Sequence, residues 1–223
     1  MIFQHNSLDY DFNLEENNIS VIIIENSIVY RNMLIELKKQ LNGDEGGFLI
    51  RDGLKILDIK KKVEFIENLL ELDLNSRNVK NKIYKYLEEE SINYYYKEIM
   101  DLYDFIQKFI FLINENSDFE YSIENSIKIT DILKSVDFSI EFEEKDIVNN
   151  IIRYMDLINS INNKEVFIFC NLKLFLTEEE LNKVYDYTFQ KKYYIILFER
   201  FESEHKNLKE KNFILDSDLC ELY

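Results

Sequence analysis

The chain of 223 residues contains no proline and only four glycines, Gly43, Gly46, Gly47 and Gly53. Without proline-rich linkers, domain boundaries have to be read from changes in hydrophobic period. All four glycines fall in one stretch, GDEGGFLIRDG, which leaves no glycine-rich phosphate loop after any other strand. The two cysteines, Cys170 and Cys220, fit a reducing compartment and give no metal spacing. Cys170 ends an apolar run and reads as a small core residue. The two histidines, His5 and His205, stand beside no serine or cysteine nucleophile motif and read as surface residues. No apolar run approaches the roughly 20 residues that span a bilayer. The opening MIFQHNSLDYDFN has neither the basic segment nor the apolar core of a signal peptide. These absences indicate a soluble, cytoplasmic protein with no membrane partner.

Positive charge is also short: 27 Lys and Arg stand against 43 Asp and Glu, a formal net charge of −16. Taken whole, that balance opposes a nucleic-acid partner. Its distribution is uneven, however. Residues 60–85 hold seven basic residues (Lys60, Lys61, Lys62, Arg77, Lys80, Lys82, Lys85) against four acids, whereas residues 101–147 hold four against twelve. One stretch can attract phosphate and the next can attract cations. With 46% hydrophobic residues the chain can bury a sizeable core.

Hydrophobic period gives the organisation. Residues 3–14 alternate loosely and suit a hairpin or edge strand. Ile19–Glu25 is an apolar β-branched run, followed by a helix through Ile28, Leu34, Leu37 and Leu41 that stops near Gly43. The glycine segment reads as turns around a strand at Phe48–Arg51. From Ile59 the period is helical: Ile59, Val63, Ile66 and Leu70 mark one helix, and Val79, Ile83, Tyr86 and Leu87 a second. Ile99 to Ile113 mark a third, and Ile129 to Val136 a short fourth. A short strand at Phe138–Phe142 and a helix from Ile147 to Ile158 follow. Strands at Val166–Phe169 and Tyr193–Phe198 then flank a helix opened by a Thr177/Glu180 capping box. Alternating strands and helices at both ends indicate a parallel-sheet α/β head, residues 1–58 and 143–223, interrupted by an all-helical insertion, residues 59–142.

Several chemistries are excluded locally. The break Glu25-Asn26-Ser27 lies where a Walker loop would wrap phosphates, yet it has neither glycine nor lysine, and VFIFC is followed by Asn171 where a magnesium-holding Asp is expected. GDEGGFLIRDG is not a displaced phosphate loop, because no Lys-Ser or Lys-Thr follows and three acids lie within it. Glu-x-Lys, a nuclease pattern, occurs at Glu36, Glu143 and Glu204, never inside a convincing strand, and reads as solvated helix faces. The run NENSDFEYSIEN offers Glu115, Asp118, Glu120 and Glu124 as oxygen ligands suited to calcium, or as a solvated loop. Lys60–Lys62 and Lys80, Lys82 and Lys85 suit sequence-independent phosphate contact, or a solvated face.

The order of several segments resembles the type II-A CRISPR-associated adaptation family of ring-forming DNA-end binders, Csn-two. The matching stretches are Ile24-Glu25-Asn26 after the first strand, ELDLNSRNVKNKIYKYLEEE (Glu71–Glu90), DFEY (Asp118–Tyr121), LTEEEL (Leu176–Leu181) after VFIFCNL, and NFILDSD (Asn212–Asp218). The resemblance implies an α/β head of P-loop-ATPase type with a degenerate phosphate loop and an inserted helical leg. It implies four subunits in a non-catalytic ring around double-stranded DNA, entered at free ends without sequence preference. It also implies structural calcium, held here by Asp118, Glu120 and Glu124, and work alongside the adaptation integrase and the RNA-guided nuclease during acquisition of new spacers. The channel lysines would be Lys60, Lys61, Lys62, Lys80, Lys82 and Lys85, which rest on local charge. The alternative is a protein-interaction scaffold with incidental DNA contact.

Overall fold

The computed structural model of the chain describes residues 1–119, 121, 128–140, 146–203 and 207–223. These divide into two compact units, residues 1–72 with 143–223, and residues 73–142. The first unit opens with β1 (Ile2–His5), β2 (Phe12–Asn13), β3 (Ile19–Ile24), α1 (Ser27–Asn42), β4 (Phe48–Asp52), β5 (Lys55–Leu57), α2 (Ile59–Lys62) and β6 (Val63–Ile66). The second unit holds α3 (Arg77–Tyr94), α4 (Tyr96–Glu115) and α5 (Ile129–Ser135). The chain then returns through α6 (Ile147–Asn162), β7 (Val166–Cys170), α7 (Glu178–Lys191), β8 (Tyr194–Glu199), β9 (Glu210–Leu215) and β10 (Glu221–Leu222).

The main sheet runs β10-β9-β3-β8-β7-β6, parallel from β9 to β6, with β10 antiparallel at its edge. All six residues of β3 are buried, as a strand covered on both faces requires. The two-residue period divides them: Ile22 and Ile24 join α1 and the first hairpins in one core, while Val21 and Ile23 join α6 and α7 in the other. A second, antiparallel sheet, β2-β1-β4-β5, packs Phe3, Phe48 and Ile50 into the α1 side. Gly43 ends α1 at φ +124, where its N–H bonds the carbonyls of Lys39 and Gln40.

Residues 59–70 depart from the single helix that their spacing predicts. Asp58 accepts from Lys60 N at 3.1 Å and caps only one turn, after which Val63 pairs in register with Val166. Short apolar runs satisfy strand and helix spacing alike, and pairing with β7 decides this one. The helical unit therefore starts at residue 73 rather than 59. The charged pattern of this strand has its own reason: Glu64 is buried, bonded by Lys164 Nζ at 2.6 Å and by the Tyr154 hydroxyl at 2.6 Å. His5, read as a surface residue, is also buried. Its ring lies 4.4 Å from that of Phe48, with Nδ1 at 2.7 Å from Ser7 Oγ and Nε2 at 3.3 Å from Glu36. His205 lies outside the described residues.

Within the second unit α3 packs on α5 and α4. The described part of the strand expected at 138–142 is irregular instead. Its backbone groups are taken by side chains: Asn75 bonds both N–H and C=O of Ile140, at 2.9 and 2.8 Å, and Tyr84 donates to Phe138 O. α4 carries no buried residue and leaves Leu102, Phe105, Phe109 and Leu112 exposed along one side.

Burial sets how much each ion pair contributes. Lys164→Ala strands the buried Glu64 carboxylate and should lower unfolding free energy by about 3 kcal/mol. Lys62→Ala breaks a half-exposed pair with Glu165 and should cost less than about 1 kcal/mol. Urea denaturation of both variants tests this; equal losses would contradict it.

Candidate nucleic-acid interface and the closed phosphate site

Open α/β sheets bind ligands beyond the carboxyl ends of their strands, where neighbouring strands send their connections to opposite faces. Here β3 leads to α1 on one face, while β7, two strands away in the same sheet, leads to α7 on the other. The crevice between them is closed from within. The first free amides of α1, at Ile28 and Val29, are bonded by Asn26 Oδ1 at 3.0 and 3.2 Å. These are the donors that would otherwise meet a phosphate. The Arg200 guanidinium turns inward, donating to the carbonyls of Ile24 (2.8 Å) and Glu25, with its carbon 5.7 Å from the Tyr30 ring centre. The Glu25 carboxylate is fixed beside them by Ser217 N at 3.2 Å. A carboxylate, a capped helix and an occupied arginine offer a phosphate group no cradle.

The cysteine that ends β7 is not a reactive nucleophile. Burial pushes the Cys170 thiol up to about 12, well away from a reactive thiolate. Asn171 turns left-handed at φ 50 and donates its N–H to Phe198 O. Glu199 is buried, accepts from Lys173 N at 3.2 Å, and is pushed up to about 7, chiefly by burial. The neighbouring Lys173 ammonium pairs instead with Glu210 at 2.6 Å, and Tyr185 donates to the same carboxylate at 2.8 Å.

The lysines singled out from local charge lie in two places. Lys60, Lys61 and Lys62 form α2 at the amino end of β6, opposite the closed crevice along the strand direction. Lys62 is held by Glu165 at 2.9 Å. Lys60 reaches over the carboxyl end of α1: its Nζ lies 2.8 Å from where a Cβ on Gly43 would be. A cation is favoured there by the helix dipole. Lys61 is exposed and has no ion pair among the described residues. Lys39, exposed in the last turn of α1, was missed by the charge count because it lies far upstream in sequence; Gly43 brings its helix end to α2.

Lys80, Lys82 and Lys85 lie on α3 in the other unit. Lys80 is engaged by Asp137 at 3.2 Å, and Lys85 faces Glu89 at 4.0 Å. Lys82, half-buried, has no ion pair among the described residues and shares a face with Lys85. Of the metal candidates, Asp118 is exposed in the turn after α4, which Asn114 closes by bonding Tyr121 N and O at 2.9 and 2.7 Å. Glu120 and Glu124 lie outside the described residues. Among the described residues no three His, Cys, Asp or Glu side chains converge to hold a metal, and no helix is long and apolar enough to cross a membrane.

The family model described as "CRISPR-associated protein (Cas_Csn2)" matches residues 40–219. No curated protein matches the chain. Among solved structures, a putative ABC transporter (ATP-binding protein) from Pyrococcus furiosus aligns at 15% identity over 91% of this chain and 88% of its own, with a TM-score of 0.36. At that score no argument rests on it.

The Glu199 environment has a measurable consequence. Between about pH 4.5 and 7 the native chain keeps a proton that the unfolded chain releases, so this group's stabilisation is full below 4.5 and fades as pH rises. The loss across that window should be about 3 kcal/mol. Glu199→Gln should remove this slope in urea midpoints measured from pH 4.5 to 8. Parallel curves for parent and variant would contradict the assignment.

Proposed function

The chain belongs to the Cas_Csn2 family of CRISPR-associated proteins, whose role is in CRISPR adaptation. On that premise we propose that it is a non-catalytic, sequence-independent binder of double-stranded DNA ends, acting as a closed ring of four copies when new spacers are acquired. Its α/β head is a P-loop-ATPase framework with a degenerate phosphate site. The observation that carries the reading is the placement of free cations on an acidic chain. Lys61 is exposed and unpaired among the described residues, Lys60 is exposed beside it, and both lie away from the crevice that Asn26 and Arg200 close. Repeated around a closed axis, one short stretch becomes a positive surface long enough for a duplex.

Self-association has its own support in α4. Leu102, Phe105, Phe109 and Leu112 recur at intervals of three and four residues, all exposed, as along a seam that meets another helix. On α3, Lys82 is a further cation without an ion pair among the described residues, whereas Lys62, Lys80 and Lys85 each face a carboxylate. Structural calcium, held by Asp118, Glu120 and Glu124, would supply a hard cation to an acidic loop. Partners would be the adaptation integrase and the RNA-guided nuclease. The same α4 seam also favours a second reading, a scaffold that docks another adaptation protein.

Lys60→Glu with Lys61→Glu leaves both buried cores untouched. It should lower affinity for a labelled linear duplex by at least about tenfold, with particle size unchanged. A closed circular duplex should bind more weakly than the linear form throughout. Unchanged affinity would favour the scaffold. Light scattering with calcium should give four copies, and a chelator or Asp118→Asn should shrink the particle; a monomer in calcium would contradict the ring.

A further inference from the structure

The turn after β1 joins three side chains in a line. β1 ends at His5, whose ring is buried against Phe48, while Ser7, two residues on, is exposed. Ser7 Oγ lies 2.7 Å from His5 Nδ1, and the far ring nitrogen, Nε2, lies 3.3 Å from Glu36 Oε2 on α1. One further bond fixes which atoms carry hydrogen. The Ser7 backbone N–H reaches the same Nδ1 at 3.2 Å. An amide can only donate, so Nδ1 is the acceptor and the ring proton sits on Nε2. Nε2–H then donates to Glu36, and the Ser7 hydroxyl donates to Nδ1.

Glu36 is held in its turn, since its other oxygen accepts the Gly47 N–H at 2.6 Å. A side chain at Gly47 would collide with the Asn6 carboxamide, so glycine there lets the loop close. The order is therefore nucleophile, base and carboxylate, with the base shielded and the hydroxyl facing water. Among the described residues Glu36 is the charged neighbour of the ring and Phe48 the apolar one. An acyl-transfer enzyme adds an oxyanion hole, but here the nearby amides are in use. Asn6 N bonds Gly47 O and Leu8 N bonds His5 O, each at 3.0 Å. With those donors committed, the loop stabilises an oxyanion little. The arrangement suits a single transfer from a donor that already carries a good leaving group, without rapid turnover.

We infer that Ser7 is an activated serine, a site of covalent acylation by small acyl donors with good leaving groups. Ser7 Oγ bonds to the carbonyl carbon as its proton passes to His5 Nδ1. The bond from that carbon to the leaving group then breaks. The leaving group departs with the electron pair and takes up the proton from His5. His5 is the general base, and Glu36 positions its ring.

The probe is p-nitrophenyl acetate. The parent should release a burst of p-nitrophenol stoichiometric with protein and little afterwards, with the acetyl group located on Ser7 by peptide mass spectrometry. Ser7→Ala changes an exposed side chain and should keep the melting temperature while slowing the burst at least about tenfold. The parent's burst rate should climb with pH as the imidazole sheds its proton. Glu36→Gln still offers partners to Nε2–H and Gly47 N–H but removes the charge that favours imidazolium. It should lower the rate and move that rise to lower pH, which a merely structural role would not do. A burst unchanged in Ser7→Ala, or acetyl found on lysines and not on Ser7, overturns the inference. A parent-like pH profile in Glu36→Gln overturns the role given to Glu36. All of these outcomes are read without DNA, so none of them bears on the DNA-binding reading.

Discussion

The guanidinium of Arg200, bonded to the carbonyls of Ile24 and Glu25, decides which end of the sheet is free to act. In a parallel sheet covered on both faces, only the loops at the two strand ends can meet a ligand. At the carboxyl end Arg200 draws β8 to β3, Asn26 caps α1, and Glu25 is held by Ser217. Among the described residues, the Arg200 guanidinium and the amides of Ile28 and Val29 thus have partners within the chain. The amino end differs, because there α2 presents lysines directly before β6.

Charge follows the same division. Lys164 and Lys173 are used up in buried pairs with Glu64 and Glu210, and Lys62 is tied to Glu165. On a chain of net charge −16, basic residues without an ion pair among the described residues, such as Lys61, acquire weight through position rather than number. An acidic chain can bind a polyanion only if such groups are concentrated and the acids are turned away, which repetition about an axis accomplishes.

Much of this was legible in the sequence. The β3–α1 unit, the Thr177/Glu180 capping box and the β-branched runs of β7 and β8 carry strong local signals, and each forms where expected. Membership in a CRISPR-associated family agrees with the resemblance seen in the motifs. β6 was not legible, because Val63 and Ile66 continue the helical spacing of Ile59 until β7, a hundred residues later, claims them as a strand. β9 was hidden for a related reason: its charged flanks are paired across long distances, Lys211 with Glu15 and Glu210 with Lys173. Long-range pairing also separates Lys62 and Lys80 from Lys61, a distinction that counting charges along the chain cannot make.

The central claim is that free lysines at the amino end of the sheet, multiplied by assembly, meet the duplex. An electron cryomicroscopy structure of the calcium-loaded protein with a linear duplex tests it most directly. The account predicts Lys60 and Lys61 of every copy facing the phosphates inside one closed ring. DNA seated at the Arg200 end of the sheet, or those lysines turned to bulk solvent, would contradict it.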